Sequence, residues 1–210
     1  MKKVPGFLCL IVLSTLIGCS SSSEDQHSRN NSSENLTPEV PSSDIANIQH
    51  IHADFDPISF NENVKDADLV AEIEIQGLIT EMEDPSPQSI FKTNVLNILS
   101  GDYGDSEMNL LQAGTSTVVF NEFPQFSEGD RYILFLQKTT ETPNTDYFIR
   151  GAISGVYKVV DENTIIKIAL PDESLEDIQL GQVQQSNDNE IEQQVLDKNL
   201  FEELVKKEGN

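Results

Sequence analysis

Cysteine is almost absent from this chain: its 210 residues hold two, Cys9 and Cys19, and none follows Cys19. A domain without thiols cannot be stapled by disulfides or build a cysteine-based zinc site, so its stability has to come from a buried core. Tryptophan is missing altogether, and histidine occurs three times, as His27, His50 and His52. Three imidazoles are too few to assemble a dinuclear metallohydrolase. Cations are also scarce, with 13 Lys and Arg against 36 Asp and Glu and a net charge of -23. Such a chain repels phosphate backbones and anionic headgroups, which argues against nucleic acid as a partner and leaves basic polypeptides and divalent cations open. Long apolar runs are lacking too. The longest, residues 7–17, would make a helix of about 16 Å against a hydrocarbon core of about 30 Å, too short to span it.

What that run does have is the setting of an export signal, with Lys2 and Lys3 before it and Gly18 and Cys19 closing it. Leu16-Ile17-Gly18-Cys19 resembles the lipobox of bacterial lipoproteins. The resemblance implies that residues 1–18 are a cleaved signal peptide, that the Cys19 thiol carries a diacylglyceryl group, and that Cys19 becomes the first residue. Two acyl chains anchor stably where one binds only reversibly. The expected location is therefore the cell membrane, lipid-anchored and facing the extracytoplasmic side. Loss of Lys2 and Lys3 takes the net charge from -23 to -25. Residues 19–43 carry the lipid and continue as Ser, Asn, Glu and Pro, with only Leu36 and Val40 aliphatic after Cys19. Too little apolar surface is there to fold, so a disordered tether of roughly 25 to 30 Å is expected.

Residues 44–210 suffice for one domain around one core. Stretches rich in β-branched and aromatic residues, bounded by turn signals, predict strands at 68–79, 89–99, 107–113, 117–123, 131–138, 146–150, 155–160 and 164–170. In the first, Leu69, Ala71, Ile73 and Ile75 share one parity while Glu72 and Glu74 take the other, the pattern of a half-buried strand. Asp84-Pro85-Ser86-Pro87 turns it into a hairpin with the second. Residues 131–138 (RYILFLQK) form the most apolar strand and are expected at the centre of the sheet. Residues 171–194 carry seven acids and no Lys or Arg, which predicts a solvated stretch. Over 188–207, Leu196, Leu200, Phe201 and Leu204 recur at helical spacing, so a terminal helix should pack on the sheet. No long amphipathic helices separate the strands, which disfavours parallel βαβ units. The expected fold is mainly β, an antiparallel OB-like barrel or small sandwich with a C-terminal helix.

Asp66-Ala67-Asp68-Leu69-Val70, residues 91–101 (FKTNVLNILSG) and residues 126–136 (FSEGDRYILFL) follow one another in a recurring order and spacing. In this the chain is similar to lipoproteins of Gram-positive bacteria whose domain resembles an OB-fold of the netrin or metalloproteinase-inhibitor type. That resemblance implies a fold. No functional residue is carried over from it, because the cysteines those inhibitors use have no counterpart after Cys19.

The segment His50-Ile51-His52-Ala53-Asp54-Phe55-Asp56 alternates, so an extended backbone puts His50, His52, Asp54 and Asp56 on one side and Ile51, Ala53 and Phe55 on the other. Two imidazoles and two carboxylates so placed are candidate metal ligands. The competing reading is an edge strand with a polar outer face. Tyr132, Phe135, Tyr147, Phe148 and Tyr157 could line a ligand groove or fill the core. Neither G-x-S-x-G nor S-x-x-K with a base occurs in the domain, and phosphate loops and calcium loops are absent. The expectation is a non-catalytic binding or accessory module of the cell envelope, without a cofactor, whose partner is an envelope protein or cell-wall component. The alternative is a metal-dependent envelope enzyme built on His50, His52 and Asp54. The lipobox generates the first test. Replacing Cys19→Ala should abolish incorporation of a fatty-acid analogue in metabolic labelling and leave uncleaved precursor, and unchanged labelling would refute the lipid anchor.

Overall fold

The computed structural model describes residues 48–53, 56–139, 142, 144–184 and 192–209. The expected signal peptide, Cys19 and the tether lie outside the described residues, as does Asp54. In chain order the elements are β1 (Gln49–Ile51), α1 (Phe60–Asp66), β2 (Leu69–Met82), β3 (Gln88–Gly101), β4 (Glu107–Ala113), β5 (Val118–Phe120), β6 (Arg131–Lys138) and β7 (Tyr147–Ile149). They continue as β8 (Val156–Val159), β9 (Thr164–Lys167), β10 (Gln179–Gln184), β11 (Glu192–Asp197) and α2 (Lys198–Glu208). Short 3₁₀ turns occupy Ala152–Gly155 and Glu173–Ile178.

Five strands close on themselves in the order β6, β2, β3, β4, β7 and back to β6. A closed five-strand barrel of this order is compatible with an OB-like fold. The expected all-antiparallel pairing fails at one join: β4 and β7 run parallel, through Leu110↔Tyr147 and Leu111↔Phe148. The reason is parity, since directions cannot alternate all the way round a ring with an odd number of strands. Leu69, Ala71, Ile73 and Ile75 fill the barrel together with Phe91, Met108, Leu110, Tyr132, Leu134 and Leu136.

β6 makes the rest of the sheet possible. One edge pairs with β2, and the other is divided: Leu136 to Lys138 face β7, whereas Tyr132 to Leu134 face β8. Between them the Phe135 carbonyl accepts from Arg150 N at 2.8 Å, and the chain loops out through Gly151, whose φ of +67° suits glycine. Gly155 brings it back so closely that a Cβ there would lie 2.2 Å from the Arg150 carbonyl oxygen. From β8 the sheet extends outward through β9 and β11 to β10 at its margin.

A second core covers the outer face of β2 and β6 and the extension. Phe60 and Val64 of α1 meet Phe201 and Val205 of α2 over Val70, Ile133, Phe135 and Tyr157. The Phe201 ring centre lies 4.5 Å from Tyr157 and 5.3 Å from Phe60. This layer corrects three expectations. Glu72 is not on a solvated face but 3 % exposed, because α2 lies over it. Its carboxylate is compensated by the Arg131 guanidinium and, at 2.9 Å, by Lys198 Nζ, which also reaches Glu202 at 3.1 Å. Leu196 belongs to β11 rather than to the helix. The Asp197 side chain caps the helix by accepting from Leu200 N at 3.0 Å. Leu200 is exposed, and Phe201 and Val205 make the contact. The acidic stretch is partly structural too: Leu175 and Ile178 are buried, and Asp172 Oδ2 accepts from Phe60 N at 2.7 Å.

Among the buried residues of this face is Lys167, 3 % exposed, with Nζ 5.8 Å from the centre of the Tyr157 ring. Burial pushes its pKa down to about 8, against the opposing charge of Asp172. Between about 8 and the ordinary lysine value of 10.5 Lys167 therefore binds fewer protons in the folded chain than in the unfolded one, so its contribution to stability rises with pH across that window, opposed toward the upper end by the buried tyrosines, whose pKa values burial raises. Lys167→Met is expected to abolish the rise and to be more stable than the parent at neutral pH by roughly 2 to 3 kcal/mol. Urea titrations at neutral pH and near the upper limit check both.

Candidate functional site

The parallel join of β4 and β7 is only two residue pairs long, because β7 ends at Ile149 and the chain turns away. Side chains pointing outward from that seam, Leu111 and Phe148, are half-buried. The far wall is the segment after β4. It folds back and is pinned there by Gln112, whose Nε2 donates to the Pro124 carbonyl at 2.9 Å while its Oε1 accepts from Phe126 N at 3.1 Å. The result is an open groove of about 240 Å³ between Leu111, Phe148, Phe120, Phe123 and Ile153, with Asn121 at its rim. Apolar walls with a few amide groups at the edge are what a small apolar ligand or a single anchoring side chain requires.

The wall ends in a tight turn. Phe120 and Phe123 form an antiparallel bridge, with Phe123 N donating to the Phe120 carbonyl at 2.9 Å. The central residues Asn121 and Glu122 have φ of 49° and 57°. Positive φ at both is what a type I′ turn demands, and Asn-Gly is its preferred pair, so glutamate here stores strain. The turn is tied to β1: Asn121 N donates to the Ile51 carbonyl, and Ala53 N donates to Asn121 Oδ1, both at 2.9 Å. β1 itself pairs in parallel with β5, Gln49↔Val118 to Ile51↔Phe120.

This places the histidine segment. His50 Nδ1 lies 3.1 and 3.2 Å from the two Glu122 carboxylate oxygens, and His52 Nε2 is 3.4 Å from one of them. Both imidazoles are largely exposed. Of the other expected ligands, Asp54 lies outside the described residues, and Asp56 is exposed. Among the described residues no group of three or more His, Cys, Asp or Glu side chains is arranged to hold a metal ion. The inward side of the segment is only partly as expected, with Ile51 half-buried, Ala53 exposed and Phe55 outside the description. Of the five aromatics expected to line a groove or fill the core, Tyr132, Phe135, Tyr147 and Tyr157 are core, and Phe148 reaches the groove, beside Phe120 and Phe123.

Glu122 and the groove are what sequence reasoning missed. Asn121-Glu122 between two phenylalanines is a turn signal in hindsight, but the groove has no local signature, because its two walls come from strands far apart in sequence. No protein-family model matches the chain, and no curated protein matches it either. Relieving the turn is a direct test of its strain. Glu122→Gly should raise stability by about 1 kcal/mol, since the exposed contacts it forfeits to His50 and His52 are each worth less than the strain removed. Thermal melting measures it, and a loss of stability would show the turn to be unstrained.

Proposed function

We propose that this chain is a lipid-anchored lipoprotein of the bacterial cell envelope whose barrel is a non-catalytic binding module, seating an apolar anchor residue of a basic envelope protein or cell-wall component. The groove over the β4 and β7 seam carries the reading. It is concave, apolar and framed by a turn that tertiary contacts hold in a strained form, and strained backbone of this kind concentrates at ligand sites. The Lys2-Lys3 start, the apolar run and Gly18-Cys19 support export and lipid attachment. The strand order supports kinship with OB-folds of the netrin or metalloproteinase-inhibitor type, without the cysteines that the inhibitors use.

A binding role also fits the polar residues. His50 and His52 share Glu122, and no serine hydroxyl is placed on either ring among the described residues, so nucleophile, base and orienter are not assembled. The net charge of -25 left after loss of Lys2 and Lys3 from the full chain's -23 favours a cationic partner, with a pull that weakens as the Debye length shrinks from about 8 Å at physiological ionic strength to about 3 Å at 1 M.

The test uses the compact unit Asp44–Asn210 and the neutral-ended probe N-acetyl-phenylalanyl-lysinamide, followed by NMR. Shift changes are expected at Leu111, Phe120, Phe123 and Phe148, weakened by salt and reduced at least tenfold in affinity by Phe148→Asp. Perturbation confined to other surfaces would overturn the groove. Time-dependent product from generic peptidase, esterase or glycosidase substrates, scaling with protein concentration, would overturn the non-catalytic reading.

A further inference from the structure

The sheet that leaves the barrel ends in a strand with one side open. β10 pairs with β11 through Gly181↔Val195, Gln182↔Gln194, Val183↔Gln193 and Gln184↔Glu192, and it is the marginal strand of the sheet. Its other row of N–H and C=O groups faces no strand among the described residues. Exposed edges invite pairing with another chain, and proteins guard them with Lys, Pro, inward charges or extreme shortness. β10 has the sequence QLGQVQ, six residues with no charge and no proline. Its one irregularity lies at Leu180, between Gln179 and Gly181, and leaves 181–184 in regular register. Leu180 itself is 60 % exposed.

The surroundings of this neutral strand are strongly charged. The 3₁₀ turn Glu173–Ile178 runs directly into it and exposes Glu173, Glu176 and Asp177. From residue 171 to 194 the chain holds seven acids and no Lys or Arg. A second copy of the chain pairing on this edge would bring the same acids against each other. An extended segment with alternating Lys or Arg would instead gain both backbone hydrogen bonds and charge attraction.

We propose that the outer edge of β10 docks an extended cationic peptide segment, which adds to the sheet as a further strand. The edge is separate from the groove: β11, β9 and β8 stand between β10 and the barrel strand β6. One partner could therefore engage the groove with an anchor side chain and the edge with a basic strand, and either site can fail without the other.

The experiment titrates the full chain, in nonionic detergent, with the peptide Lys-Val-Lys-Val-Lys-Val-Lys and its Glu-Val counterpart, and reads amide hydrogen exchange. The cationic peptide should slow exchange at residues 179–184 and bind at least tenfold more tightly than the acidic one. The triple variant Glu173→Gln, Glu176→Gln, Asp177→Asn, all surface changes, should weaken it by up to about tenfold, in line with exposed charges each contributing under ~1 kcal/mol. Adjacent strand residues aim their N–H groups at opposite edges, so of Gln182→Pro and Val183→Pro one keeps its pairing with β11. That variant, identified by an unchanged melting temperature, should lose peptide binding. Protection elsewhere but not at 179–184, equal binding of the acidic peptide, or protection of β10 that appears with protein concentration alone would each overturn the proposal, the last by showing that a second copy takes the edge.

Discussion

Strand directions around a closed ring of five cannot all alternate, and the consequences of that parity run through this molecule. One seam has to be parallel. Parallel partners cannot be joined by a tight turn, and here β5 and β6 intervene between β4 and β7. The seam that results is the shortest join in the barrel, two residue pairs, and the groove opens on its outer face. The groove lies there because closure leaves a shallow gap at that point, which the segment after β4 walls in.

β6 resolves a related conflict. Its sequence is buried from Tyr132 to Leu136 because its two faces belong to different cores, the barrel interior and the layer under α1 and α2. By sharing its second edge between β7 and β8, with Phe135 at the division, it lets one sheet be both a closed barrel and an open extension. Arg150 and Gly155 hold the chain in the excursion that makes the sharing possible. The extension then carries the exposed edge at its margin, three strands away from the barrel wall.

Strand positions were legible wherever a period of two dominated. Residues 107–113 and 131–138 are strands with the predicted bounds, and the hairpin of β2 and β3 turns at the prolines. The fold class followed from those strands and the missing amphipathic helices. What escaped was decided by contacts between distant segments. Glu72 reads as a solvent-facing residue until α2 is known to lie over it, and Leu196 fits a helical stripe equally well as a strand. The first helix, with its Ser59 and Glu62 capping box, was readable but short enough to be passed over. The site was less legible than the fold. The histidines were visible as a pair. Glu122, which lies 72 residues from His50, and the groove itself exist only once β1 has found β5.

The compensation of Glu72 joins distant parts of the chain. Its carboxylate sits in β2, the first strand of the barrel, while Lys198 belongs to α2, more than a hundred residues later. A chain stopped or clipped before residue 198 would keep Arg131 but lose the second cation and the helix that excludes water. Removing one partner from a buried charge set costs about 3 to 5 kcal/mol, a large part of the stability of a domain this size. The barrel strands are thus tied to α2: all of them can be present, yet the Glu72 carboxylate is fully compensated only when Lys198, the first residue of that helix, is in place.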